Sequence, residues 1–132
     1  MTDPVHFDTE HWADERLIAL PVKANATIRQ GALVMLSGGY AEEASPGTGK
    51  VALGVAQETV SNAGGGDGAR KVLVRRGVFR LEVDPADPPG PADLGRDVYA
   101  TGPNRVAKGS TGRSKAGRLL GLEPGYAWVE VW

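Results

Sequence analysis

A stretch of alternating residue types at positions 70–83 constrains the fold of this chain more than any other feature. Val72 and Val74 alternate with other residue types, Gly77 interrupts the run, and Val78 resumes it. Alternation with a period of two over this length predicts half-buried β structure that bends or turns at Gly77. We call this stretch the central ribbon, and it indicates a chain built from strands.

Two similar blocks of sequence lie on either side of the central ribbon. The first block covers residues 30–56 and the second covers residues 94–123. Four pairs of residues match in order, namely Gly31 with Gly95, Val34 with Val98, Gly38 with Gly102, and Gly54 with Gly121. These matches predict a duplicated β unit that flanks the ribbon.

Turn-forming residues separate the apolar runs along the whole chain. The 19 glycines and 9 prolines are spread between those runs rather than gathered in one tract. Such punctuation is typical of many short strands, and we expect roughly nine or ten of them with little helix. We predict an all-β fold, a small β-barrel or sandwich built from two similar β units around the central ribbon. The 132 residues fit one β domain at 16–132, preceded by an N-terminal arm at 1–15.

Bulk composition argues against several classes of protein. The chain has no cysteine, so it has neither a disulfide framework nor a thiolate zinc site. Its net charge of −1 gives no general attraction to nucleic acid. No apolar segment approaches the ~18 residues that span a bilayer, and the start of the chain lacks a signal-peptide pattern. We therefore expect a soluble protein without a membrane or direct nucleic-acid partner.

The motifs that could carry chemistry are weak. Gly47 to Lys50 lacks the upstream glycine and the following Ser or Thr of a phosphate loop, and a strand rather than a helix is predicted next. The two histidines, His6 and His11, lack the further donors of a metal site and the rigid frame of a general base. The carboxylates of the proline-rich segment 84–93 are expected to be solvated turn residues. We predict no enzymatic activity, no catalytic residue, no metal and no cofactor.

The N-terminal segment 1–15 is acidic, with Phe7 and Trp12 as its large apolar groups. That apolar content is too small to form a core of its own. Two interpretations remain open. The segment is a terminus that packs against nothing, or it is an arm that orders on a partner through Phe7 and Trp12.

Two surfaces are candidates for contact with another chain. Basic residues crowd the central ribbon, among them Arg75 and Arg76, and they either solvate a strand face or meet an acidic surface. In the last strand Tyr126, Trp128 and Trp132 share one face by alternation. This aromatic side either completes the core or meets a neighbour. These five residues form the predicted oligomer interface.

The order of five short motifs resembles a known family. The motifs are GALVML at 31–36, ALGVA at 52–56, VLVRRGVF at 72–79, GRDVY at 95–99 and LLG at 119–121. Together they resemble the small β-rich capsid cement, or head decoration, proteins of tailed bacteriophages and prophages. The resemblance covers about residues 16–132, and it does not account for the proline-rich segment or the acidic start.

The resemblance implies a non-enzymatic virion protein that binds the outer surface of a capsid and stabilises it. Such proteins commonly sit as trimers at threefold positions, so the implied partners are the major capsid protein and two further copies. The implied location is the outer capsid surface, after synthesis in the host cytoplasm. A terminal arm in such proteins often adds a strand to the capsid protein or lies along it. Here that arm is residues 1–15, with Phe7 and Trp12 as anchors.

Two other binding functions are alternatives. A lipoyl- or biotinyl-type carrier domain needs a hairpin lysine between specific neighbours, and Lys50 and Lys108 lie in unsuitable contexts. A glycan-binding or host-attachment β module of a phage or bacterial surface would stack Tyr126, Trp128 and Trp132 on sugar rings. We rank the virion protein first and the glycan module second.

Overall fold

The computed structural model describes residues 16–131, and these residues adopt an all-β fold, as predicted. Twelve strands follow one another: β1 (Leu17–Pro21), β2 (Thr27–Ile28), β3 (Leu33–Ser37), β4 (Tyr40–Glu43), β5 (Val51–Ala56), β6 (Val60–Ser61), β7 (Lys71–Arg75), β8 (Gly77–Val83), β9 (Asp97–Gly102), β10 (Arg105–Ala107), β11 (Lys115–Glu123) and β12 (Tyr126–Val131). A short 3-10 helix at Pro91–Asp93 lies between β8 and β9. The predicted arm at 1–15 falls outside the described residues.

Ten of the strands form two units of five with the same connections. The first unit has the hydrogen-bonded order β1-β7-β5-β3-β4, and in the second β10, β8, β12, β11 and β9 close into a barrel. Each of these ten strands has an equivalent strand in the other unit. β1 corresponds to β8, β3 to β9, β4 to β10, β5 to β11, and β7 to β12. In both units the first strand runs parallel to the third, through Val22 and Ala41 in one and Val83 and Val106 in the other. The predicted duplication is therefore present in the fold.

Backbone hydrogen bonds fix which residues correspond between the units. Gly31 donates its N–H to the carbonyl of Ala56 at 2.9 Å, and Gly95 donates to Leu119 at 2.7 Å. Ala56 and Leu119 are thus counterparts, which makes Gly117 the counterpart of Gly54. Val34 pairs with Gly54, and Val98 pairs with Gly117, beside an irregularity in each ladder. The sequence match of Gly54 with Gly121 is wrong, because the Leu-Gly pair at 120–121 lies four residues beyond the true position.

The central ribbon is a junction between the units. Its strands, β7 and β8, are separated by Arg76 alone. Within residues 16–131, β7 pairs with β1 and β5, whereas β8 pairs with β12 and β10. Gly77 has a φ of 154°, a conformation that glycine adopts readily, so the predicted bend at this residue is present. The strands were predicted correctly, but each belongs to a different unit.

The two units differ at the seam between their first and third strands. In the second unit Glu82 donates its backbone N–H to the carbonyl of Asn104 at 2.7 Å. Pro21 occupies the equivalent position in β1 and has no N–H to donate. The backbone link from β1 to β4 is reduced to the bridge at Val22 and the adjacent bond from Lys23 to Ala41, at 2.9 Å. The first unit is therefore an open sheet while the second is a closed barrel.

Each unit has its own apolar core, and the second core extends into the first unit. Leu33 and Met35, on the outer face of β3, are fully buried among residues of the second core. Their counterparts on the outer face of β9 are Asp97, which is exposed, and Tyr99, which is half-buried. The same outer face is thus apolar in the unit where it is covered and polar in the unit where it is not.

Candidate interaction surface

Exposed apolar side chains are concentrated on one outer surface of the second unit. Within residues 16–131, seven large apolar side chains are exposed, and four lie on β8, β11 and β12. We call these four, Val78, Leu120, Tyr126 and Trp128, the aromatic face. Alternation along β12 turns Tyr126 and Trp128 outward, while Ala127 and Val129 between them are fully buried. Tyr126 and Trp128 are therefore surface residues and not part of the core.

Trp128 lies against Gly121 of the neighbouring strand β11. A Cβ built on Gly121 would be 3.4 Å from the Cδ1 atom of Trp128, an ordinary van der Waals distance. The indole Nε1 donates to Glu123 Oε2 at 2.9 Å, and 38% of the residue's surface stays exposed. A bulge in β11 between Leu119 and Gly121 leaves Leu120 exposed to 47%. The indole is thus held by β11 on one side and accessible on another.

Charged side chains frame the aromatic face. The Arg80 guanidinium carbon lies 4.3 Å from the centroid of the Tyr126 ring, within the range of cation–π attraction. Arg80 also pairs with Glu123 at 3.7 Å. Glu82 accepts from Asn104 Nδ2 at 3.0 Å and lies 3.9 Å from Arg105. An apolar centre with a paired polar rim is the usual anatomy of a protein–protein interface.

The predicted interface residues occupy different parts of the molecule. Tyr126 and Trp128 lie together on the aromatic face, whereas Arg75 ends β7 of the first unit and Arg76 is the junction residue. Trp132, Phe7 and Trp12 lie outside the described residues, and so do both histidines. Sequence reasoning missed Val78 and Leu120 as members of the face. Alternation with Arg80 could have identified Val78, but the bulge hid Leu120.

A polar cluster around Asp87 joins the proline-rich segment 84–93 to the loop 108–114 between β10 and β11. Asp87 Oδ2 accepts from Arg113 Nη1 at 2.7 Å and from the backbone N–H of Gly109 at 2.9 Å. The Asp87 carbonyl accepts from the N–H of Lys108 at 3.0 Å. The bond from Arg113, followed by that from Gly109, lowers the pKa of Asp87. The expectation of a merely solvated turn residue is wrong for Asp87, which anchors two loops.

Replacing Asp87 by asparagine is expected to make the free energy of unfolding less dependent on pH at acid pH. The folded-state pKa of Asp87 lies below its unfolded value, so its charge stabilises the fold above the unfolded pKa. That contribution is lost as pH falls through the folded pKa, which puts the decline below about pH 4. Asp87→Asn keeps the acceptor oxygen without the charge. Urea unfolding between about pH 2 and 7 checks this, and parallel declines in both proteins would contradict it.

A further concave feature lies where β5 of the first unit meets β11 of the second. This cleft has a volume of about 440 Å³ and is lined in part by Val51, Arg118 and Glu130. Among residues 16–131, no cluster of three or more His, Asp or Glu side chains is placed to hold a metal. No helix in that part of the chain is long and apolar enough to cross a membrane.

No protein-family model matches the sequence, and no curated protein matches it significantly.

Proposed function

We propose that the protein is a non-enzymatic structural component of a tailed-phage virion, which binds the outer surface of the capsid and stabilises it. The observation that carries the proposal is the aromatic face, whose apolar centre lies exposed inside a rim of paired charges. A surface of this kind on a small β-rich protein favours docking over chemistry. The order of motifs that resembles capsid cement proteins supports the same function.

The proposed partners are the major capsid protein and two further copies of this chain, arranged as a homotrimer at threefold positions. Contacts between copies are assigned to the surfaces that carry Arg75, Arg76, Tyr126, Trp128 and Trp132. Contacts with the capsid protein are assigned to the arm at 1–15. Repetition over a shell makes modest individual contacts strong in sum, because each copy is held at a high effective concentration.

Deletion of residues 2–15 is expected to weaken binding to expanded shells of the phage that encodes the protein. Two apolar anchors, Phe7 and Trp12, contribute about 1.5–3 kcal/mol each when buried, so the affinity should fall at least tenfold. The fold should be retained, because β1 begins at Leu17. Co-sedimentation with shells measures the affinity, and circular dichroism checks the fold.

Two outcomes of the shell experiment decide different points. Absence of binding by the full chain would contradict the capsid function. Equal binding by the full chain and the deletion variant would contradict the role of the arm alone. The double substitution of Phe7 and Trp12 by alanine is the matched control, since it keeps the length and acidity of the segment.

A glycan-binding module is the second candidate. It is favoured by the position of Trp128, whose indole lies against Gly121 and keeps 38% exposure, an arrangement suited to stacking on a sugar ring. Against it, Arg80 already lies over the Tyr126 ring. Under this alternative the protein would not bind phage shells, and added oligosaccharides would change its tryptophan fluorescence.

A further inference from the structure

Strand β5 has an open backbone edge where it lines the cleft between β5 and β11. Val51 and Ala52 line this cleft, and on one side they pair with β3. On the other side β7 reaches β5 only at Val55 and Ala56, so within residues 16–131 no strand pairs with Val51 or Ala52 there. Successive residues of a strand turn their N–H and C=O groups to opposite edges, so one of these two residues turns its backbone groups to the cleft.

The edge is open because the central ribbon leaves the first unit. β7 ends at Arg75, and the chain turns at Gly77 into the barrel, where β8 pairs with β12. No continuation of β7 therefore lies beside the beginning of β5. The open edge is a direct consequence of the junction between the two units.

The cleft beside this edge is held in place by a buried serine. Ser114 is 6% exposed, and its Oγ accepts from the backbone N–H of Lys50 at 3.0 Å and donates to the carbonyl of Gly47 at 2.7 Å. These bonds tie the residue before β11 to the residues before β5. Val51 is 56% exposed at the cleft. A fixed open edge beside an exposed β-branched side chain is suited to receive an extended segment as an added strand.

The nearest chain outside the described residues is the arm at 1–15. The carbonyl of Arg16 accepts from the backbone N–H of Arg76 at 2.7 Å, two residues before Val78, which pairs with Glu130 in the wall of the cleft. These steps from strand to strand add up to roughly 15–20 Å. Fifteen extended residues span up to ~50 Å, so about five residues reach the cleft and the rest can lie along it.

We propose that the arm docks in the cleft of its own chain. The part of the arm before about residue 11 adds a short strand to the open edge at Val51 and Ala52, and Phe7 covers the side chain of Val51. A segment tethered this close meets the cleft at an effective concentration on the order of millimolar, so it has an advantage over any free segment. Use of the same arm on a capsid, which rests on the proposed function, requires its release from the cleft.

The charges of the cleft agree with the sign of the arm. The lining carries three cations and one carboxylate, on Lys50, Lys115, Arg118 and Glu130. Lys50 and Lys115 each already pair with a carboxylate at 3.2 Å, so these cations repel a basic segment more than they hold an acidic one. The arm has five carboxylates and no Lys or Arg. Backbone bonds and the contact of Phe7 with Val51 supply the affinity.

Hydrogen exchange at the open edge tests the docking. Residue-resolved exchange is measured by NMR for the full chain, the variant that lacks residues 2–15, and the full chain with Val51→Glu. We expect the protected amide at position 51 or 52 to exchange at least about tenfold faster in both variants than in the wild type. Leu94→Glu, at a residue that is 47% exposed and outside the cleft, is the matched control and should exchange like the wild type. Unchanged exchange at Leu81 and Val129 establishes that each variant is folded.

Three results would overturn the inference. The first is equal exchange at the open edge with and without residues 2–15. The second is an equal effect of Val51→Glu and Leu94→Glu. The third is protection that rises with protein concentration, which would assign the edge to a second copy. Shell co-sedimentation is measured separately, so a protected edge without shell binding removes the proposed function and leaves this inference, and shell binding by a chain with an unprotected edge does the reverse.

Discussion

Alanine at Gly117 is expected to lower the free energy of unfolding by about 3–5 kcal/mol, a large part of the ~5–15 kcal/mol typical of a small domain. A Cβ at this position would collide with the carbonyl oxygen of Glu130 and would lie 2.8 Å from the Cγ1 atom of Val129. The obstructing oxygen is backbone of β12 inside a closed barrel. It cannot retreat unless the pairing of β11 with β12 opens, so the collision costs hydrogen bonds as well as packing.

Two further glycines make this prediction specific. Gly54→Ala should be comparably destabilising, because its Cβ would meet the Arg75 carbonyl and lie 2.7 Å from Val74 Cγ1, and its φ of 153° disfavours any side chain. Gly66→Ala is the control, since a Cβ there has nothing within 4 Å and should change stability by less than about 0.5 kcal/mol. Urea unfolding at one pH measures all three. A Gly117→Ala protein as stable as Gly66→Ala would contradict the close approach of the strands.

Replacing Asn62 by alanine is expected to cost about 2–4 kcal/mol of stability. Asn62 is 1% exposed, and its Nδ2 donates to the carbonyls of Val22 at 3.3 Å, Lys23 at 3.0 Å and Gly66 at 3.0 Å. Alanine would leave these acceptors without their donor in a place that water reaches poorly. Thermal melting and urea unfolding of Asn62→Ala against the wild type measure the loss.

The matched control for Asn62 is an amide that bonds at the surface. Asn104 Nδ2 donates to Glu82 at 3.0 Å in an exposed setting, where water can replace it. Asn104→Ala should therefore cost less than about 1 kcal/mol. Equal losses in the two variants would show that burial of Asn62 does not set the size of its effect.

Local patterns in the sequence predicted much of the fold. Alternation identified the strands of the central ribbon and the shared face of Tyr126 and Trp128, because the period of a strand depends on neighbouring residues alone. It left open whether that face belongs to the core or to the surface. The matched residues Gly31 and Gly95 identified the duplication, since each precedes the second strand of its unit and donates the same backbone bond. Each of those features is visible in a short run of neighbouring residues.

Features that depend on distant contacts could not be predicted. Position 117 accepts only glycine because the backbone of β12 lies against it, and this contact is not visible in the local sequence. The sequence comparison therefore matched Gly54 with Gly121, which also follows a leucine. The bulge that exposes Leu120 reverses the alternation within β11, and no local signal marks it. The burial of Leu33 depends on a unit whose strands begin more than 40 residues later in the chain. The sequence thus singled out Tyr126 and Trp128 of the aromatic face, and it did not single out Val78 and Leu120.

The proline at the seam of the first unit divides the molecule into halves of unequal local stability. With one bridge between β1 and β4, the first unit can open at Val22 and Ala41 by breaking fewer backbone bonds than the barrel, in which two residue pairs and the bond from Glu82 to Asn104 join β8 to β10. Amide hydrogens around that bridge will exchange with solvent through small openings, and those of the barrel through global unfolding. The duplication has thus produced two halves with the same connections and different closure, and the first half is the one expected to open at the lower free-energy cost.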